Sequence, residues 1–157
     1  MWRKSIGQSS ISSGRARVNF ADQALNDRIV IESLSNAVER SAHIRIYLDP
    51  REVERITLDG EHPFVKLSRM RNVEIKLKAS ADSSMRLKGY SVNGSLLRIG
   101  SANETHPSLE RQDNELVVIT EKDAVAAFDR NSMRCGRDRT IRNSPSRKLR
   151  AARITAP

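Results

Sequence analysis

The sequence predicts an α/β domain, a mixed β-sheet flanked by helices. Three observations carry this. Five short runs alternate apolar and polar residues with the period of a strand, and a sixth, NELVVIT, is a short apolar run of strand length. Stretches with helical spacing stand between the first three runs and after the last. Asn93-Gly94 joins two of the runs, and that dipeptide is the strongest short hairpin signal because both central residues must accept positive φ. The order is β-α-β-(α)-β-β-β-β-α over residues 15–130, without internal repeats.

Each element has its own justification. Residues 15–20, RARVNF, alternate and read as a strand. Asp22 or Asn26 then caps a helix reaching about Arg40, with Leu25, Ile29, Leu34 and Val38 inward. Residues 43–50 place Ile44, Ile46 and Leu48 on one strand face, and Pro50 ends the run. Residues 52–58 are weakly helical, DGEHP is a loop, and residues 64–71 suit a helix of two turns. Residues 72–78 alternate Val73, Ile75 and Leu77. The hairpin takes residues 85–92 and 95–100, and NELVVIT at 114–120 is the sixth strand. The last helix, 122–130, turns Ala124, Val125 and Phe128 inward.

A chain of 157 residues is one domain by length and can bury a core. No apolar run approaches 18 residues, so no membrane-spanning helix is expected. Cys135 is the single cysteine, which excludes a disulfide framework and a multi-cysteine zinc site and suits a reducing compartment. Trp2 lies in a terminal segment, outside any core.

The net charge of +9 is unevenly placed. Residues 1–20 carry four basic and no acidic residues, and residues 131–157 carry eight basic residues against Asp138. Residues 21–130 hold 16 basic and 18 acidic residues, so no basic groove across the body is expected. Residues 1–14 and 131–157 are expected to be disordered basic segments, and any contact with polyanions should come from them. The Ser- and Arg-rich start superficially resembles a transit peptide but has no secretory apolar segment, which gives an expectation of cytoplasmic location.

The stretch MRLKGYSVNGSLLRIGSAN, residues 85–103, holds two cations two residues apart, then an Asn, then a Gly-Ser-Ala-Asn loop. Taken alone, Arg86 and Lys88 fit a solvated strand face, Asn93-Gly94 fits turn chemistry, and GSAN is a weak loop motif. Their joint spacing resembles that of the phospholipase D superfamily: His-x-Lys, four residues, Asp, six residues, Gly-Ser-x-Asn. Here the positions hold Arg86, Lys88, Asn93, Gly100, Ser101 and Asn103 without a gap. Glu115 in an apolar strand after the loop, and the opening strand and helix, are also similar to small single-motif bacterial nucleases. The resemblance covers about residues 15–130 and implies a half-site domain of that fold.

It also implies a chemistry. In the family a histidine attacks the phosphodiester phosphorus and forms a phosphohistidine. A second histidine protonates the leaving oxygen and later activates water. Single-motif members draw the two histidines from two subunits of a homodimer. Lysine and asparagine neutralise the phosphoryl oxygens, and an acid orients the imidazole. The implied catalytic set is Arg86 at the histidine position, Lys88, Asn93 at the aspartate position, Ser101, Asn103 and Glu115. Arg86, Lys88, Ser101 and Asn103 would form the phosphate-binding set. The implied ligand is a phosphodiester, phospholipid or nucleic acid, with no cofactor and no metal.

The departures fall on the chemistry. A guanidinium does not give up its proton in the neutral range, so a residue of Arg86's type cannot attack phosphorus or cycle a proton there. Asn93 carries no charge to stabilise an imidazolium. Three readings stay open: an active phosphodiesterase using another base, with His106 first in line; a non-enzymatic phosphate binder; and a decayed relative. The segment NSMRCGRDR, unlike the sequence expected there, reads as a frameshift would leave it. His43 and His62 have no partner at metal-ligand spacing.

Overall fold

The computed structural model describes residues 16–57, 62–78, 85–101, 103 and 114–132, and the backbone alone of residues 139–141. Seven strands form one sheet in the order β6-β5-β4-β1-β2-β3-β7. They are β1 Arg17–Asp22, β2 His43–Leu48, β3 Val73–Leu77, β4 Gly89–Val92, β5 Leu96–Gly100, β6 Leu116–Ile119 and β7 Arg139–Ile141. β1, β2 and β3 are mutually parallel and the other pairings are antiparallel, so the sheet is mixed as expected.

Alternation decides which face each strand residue takes. One face carries Val18, Phe20, Ile44, Ile46 and Ile75 into the main core, where Phe20 stacks on Tyr90 with ring centroids 6.0 Å apart. Three helices cover it: α1 Arg28–Glu39, α2 Pro50–Thr57 and α3 Pro63–Ser68. On the other face Ala21, Tyr47 and Leu97 pack with Met85 against Val125 and Phe128 of α4, Lys122–Ser132.

Three expectations change. The cap of α1 is Asp27, whose carboxylate accepts from the Val30 amide at 3.0 Å; Asp22 instead closes a local turn on Ala24. Leu25 therefore precedes the helix, Ile29 is exposed, and the buried stripe is Val30, Ile31, Leu34, Ala37 and Val38. Residues 139–141 lie in the stretch expected to be an unstructured tail, yet they pair antiparallel with β3. Three residues are too few for a period-2 signal, because backbone pairing to an open edge needs no side-chain pattern. The expectation for the rest of the tail, and for residues 1–14, lies outside the described residues.

The ends of α1 and the hairpin follow local rules. After Arg40, Ser41 adopts φ 72°, the Ser41 amide donates to Val38 and the Ala42 amide donates to Ala37. That is a Schellman stop with a serine where glycine is usual. Asn93 and Gly94 have φ of 53° and 64°, the pair of positive values that the hairpin reading requires.

Candidate functional site

The parallel strands β1, β2 and β3 all end on one rim of the sheet, and the antiparallel β4 begins there. Carboxyl ends of parallel strands are where open α/β sheets bind ligands. Residues 85–88 run into β4 at that rim. Met85 is buried, and its amide donates to Asp49 Oδ2 at 3.1 Å. Arg86 is exposed and Lys88 half-buried.

Asp49 was not singled out by sequence, and it fixes this segment. Its side chain is 1 % exposed, immediately after β2. Oδ1 accepts from the Arg51 amide, and both oxygens receive the Arg51 guanidinium at 3.2 Å. Burial alone would push this carboxyl up. The hydrogen bonds from Arg51 and from the Met85 and Arg51 amides, with the Arg51 charge, outweigh burial and hold it below the ordinary carboxylate range. An acid between a strand and Pro50 reads as a helix cap, so the sequence carried no hint that it also holds Met85.

Three strand ends then lie side by side. The Gly100 amide donates to the Lys88 carbonyl at 3.2 Å, and the Ser101 amide to the Glu115 carbonyl at 3.1 Å. Ser101 Oγ accepts from the Glu115 amide at 2.9 Å and donates to Asn114 Oδ1 at 3.1 Å. The structure thus brings Lys88, Ser101 and Glu115 together through their backbones. Ser101, expected to offer a hydrogen to phosphate, gives it here to Asn114 and ties β5 to β6. Asn103 is half-buried, and its Oδ1 has no hydrogen-bond partner among the described residues. Glu115 is exposed.

Gly100 is required by this closeness. A Cβ there would collide with the Glu115 carbonyl oxygen.

Asn93 is not part of the cluster. It stands at the hairpin turn, at the far end of β4 from Lys88. Its Oδ1 accepts from the Arg17 amide at 2.8 Å and its own amide donates to the Arg17 carbonyl at 2.8 Å. This position locks the turn to the first residue of β1. The sequence spacing placed it in the motif, but four intervening residues of extended chain carry it roughly 16 Å away. A second residue unnoticed in the sequence is Arg98 of β5, 4 % exposed, whose guanidinium lies 5.9 Å from the centroid of the Tyr90 ring of β4. His106 and Cys135 lie outside the described residues.

Chemically, the rim presents Arg86 and Lys88, two cationic hydrogen-bond donors with no acceptor atom in the charged group. They suit an anion. Among the described residues no group of three His, Cys, Asp or Glu is gathered as a metal site requires, and no helix is long and apolar enough to cross a membrane.

Solved structures share this fold. The chain is similar in structure to Nuc from Salmonella typhimurium, described as a phospholipase D family member, at TM-score 0.66 and 16 % identity, over 85 % of this chain and 86 % of that one. NucT from Helicobacter pylori superposes at TM-score 0.67 and 16 % identity, over 80 % and 82 %. Phosphatidylserine synthase from Haemophilus influenzae Rd KW20 gives 0.61 and 14 %, over 85 % of this chain and 35 % of that one. No curated protein matches the sequence significantly. A family model described as cardiolipin synthase, PLD-like domain, matches residues 8–134. That span holds the rim and all six strands expected from the sequence, and by it the chain belongs to the family of phospholipase D-like domains.

Proposed function

We propose that this domain binds phosphodiester or phosphomonoester groups of phospholipid or nucleic acid at the Arg86–Lys88 rim and has little or no phosphodiesterase activity. Arg86 carries the reading. It occupies the family's histidine position, exposed beside Lys88, and its guanidinium forks onto two phosphoryl oxygens but neither attacks phosphorus nor accepts a proton.

The placement of Asn93 simplifies the test. Since it serves the turn, Arg86→His alone should restore the chemistry. With bis-p-nitrophenyl phosphate, the wild type should stay at background and Arg86→His should exceed it by about a hundredfold or more. Lys88→Ala in the Arg86→His background should remove that gain. Robust turnover by the wild type, lost on Lys88→Ala, would overturn the reading and point to another base such as His106.

The single motif supports a second element of the proposal, a homodimer. β6 is an edge strand with Leu116, Val117 and Val118 48, 51 and 54 % exposed, directly beyond the Ser101–Glu115 strand ends. An open apolar edge is a ready surface for a second copy. Two Arg86 side chains near one axis repel unless an anion lies between them. Light scattering should therefore show a dimer strengthened by phosphate, and a strict monomer with and without phosphate would refute it.

A further inference from the structure

At the opposite rim, where β1, β2 and β3 begin, the face that carries α4 holds a depression of about 720 Å³. A polar row crosses the sheet here, and its members Asn19, Arg45 and Glu74 line the depression. Ser91 of β4, Asn19 of β1, Arg45 of β2 and Glu74 of β3 are successive register partners. Asn19 is 3 % exposed, an unusual residue for the centre of a sheet. Its Nδ2 donates to Ser91 Oγ at 3.4 Å, while Ser91 Oγ gives its own hydrogen to Asp129 of α4. Those two bonds fix the amide's orientation, because Ser91 has no second hydrogen to offer. Asn19 Oδ1 is left buried without a hydrogen-bond partner among the described residues.

Its neighbour has the complementary need. Arg45 Nε is buried and makes no hydrogen bond among the described residues, where it faces Glu74 as an ion pair at 3.4 Å. An unmet acceptor and an unmet donor thus sit side by side on paired strands in one depression. Each costs free energy where it stands, and one ligand group that donates to the first and accepts from the second relieves both. Arg17, His43 and Arg71 stand exposed around the mouth. Three arginines against Glu74 and Asp129 leave one positive charge with His43 neutral.

We propose that this depression binds a small phosphate monoester carrying free hydroxyls, such as a polyol or sugar phosphate. The phosphate answers the arginines. A hydroxyl answers Asn19 Oδ1, and further hydroxyls donate to Glu74 and Asp129, which would repel a bare polyanion. The volume exceeds what one inorganic phosphate fills and falls in the range of small-ligand sites. The site does not depend on the motif, which lies at the other end of β1.

The experiment is a titration of the full-length, 15N-labelled protein with glycerol 3-phosphate, followed by amide shifts, with inorganic phosphate and dimethyl phosphate as separate arms. Saturable shifts centred on Asn19, Arg45 and Asn72 are expected, with Lys88 unmoved. Dimethyl phosphate, an anion without a hydroxyl donor, should bind more weakly than glycerol 3-phosphate. Asn19→Ala and Arg45→Met should each weaken binding about tenfold, and the exposed Arg71→Ala should weaken it without threatening the fold. Lys88→Ala should leave it unchanged. Shifts centred on residues 86–103, equal binding of dimethyl phosphate, or no saturation, as for a floor that holds an ordered water only, would each overturn the proposal. Because the wild type alone maps the site, the conclusion does not hang on variants that fold poorly.

Discussion

Asp49 fastens the motif segment to the sheet: one oxygen takes the Met85 amide and both take Arg51. Its carboxyl is held below the ordinary value of 3.8, so its contribution to stability is fully present above that pH and is lost as pH falls through the lower folded value. Wild type should therefore lose melting temperature as pH falls below about 4, and Asp49→Asn should flatten part of that slope while starting from lower stability at pH 7; equal slopes by calorimetry would refute this. Gly100→Ala should cost about 1–3 kcal/mol, because the Glu115 carbonyl must shift. A urea midpoint equal to wild type would show that β5 and β6 can part freely. How much of this was legible differs by residue. That Lys88, Ser101 and Glu115 lie close together was legible because backbone pairing of neighbouring strands preserves a fixed spacing. Asn93 misled because the same spacing says nothing about which end of a strand a residue occupies. Asp49 stayed hidden because Met85, the residue it holds, is 36 positions away, and Arg98 because a cation in a hairpin strand reads as solvent-facing, whereas here it lies buried against its cross-strand neighbour Tyr90.

The elements were the more readable level. All six expected strands formed, because short apolar-rich runs bounded by turn residues suit a sheet whether one face is buried or, as in β1 and β4, both are, and the Asn-Gly turn forced its own hairpin. Helix starts were misjudged where several capping residues competed: Asp22, Asn26 and Asp27 are chemically alike, and only Asp27 lies three residues before the buried Val30. The stop of α1 offers a clean test. Ser41 carries a Cβ at φ 72°, so Ser41→Gly should relieve strain of about 1 kcal/mol, partly offset by the freer unfolded chain. Chemical denaturation should move to higher midpoint; a lower one would mean the serine has a role beyond the stop. In α4 the exposed Glu121 accepts from the Asp123 and Ala124 amides at 2.8 and 2.6 Å, which lowers its carboxyl below the ordinary range. Glu121→Ala should fray that helix without changing the rest, read as faster amide exchange confined to its first turn.

At the scale of the molecule, charge and fold are separate. The strands and helices span a body near neutrality, and the excess of positive charge lies toward the two ends of the chain. Replacing Arg147, Lys148, Arg150 and Arg153 with serine leaves β7 untouched and should remove most low-salt binding to mixed-sequence DNA or acidic vesicles. Undiminished binding would shift the polyanion surface to the body. β1, the first strand made, lies in the middle of the sheet between β2 and β4. Its first residue is clasped by Asn93 across 76 positions of sequence. Synthesis therefore delivers the central strand long before one of its two neighbours, and closing that loop precedes any gain from the pairing. A nascent chain that stops short of the hairpin has half a sheet with its middle strand open along one side, so early termination yields a sticky fragment and not a smaller domain.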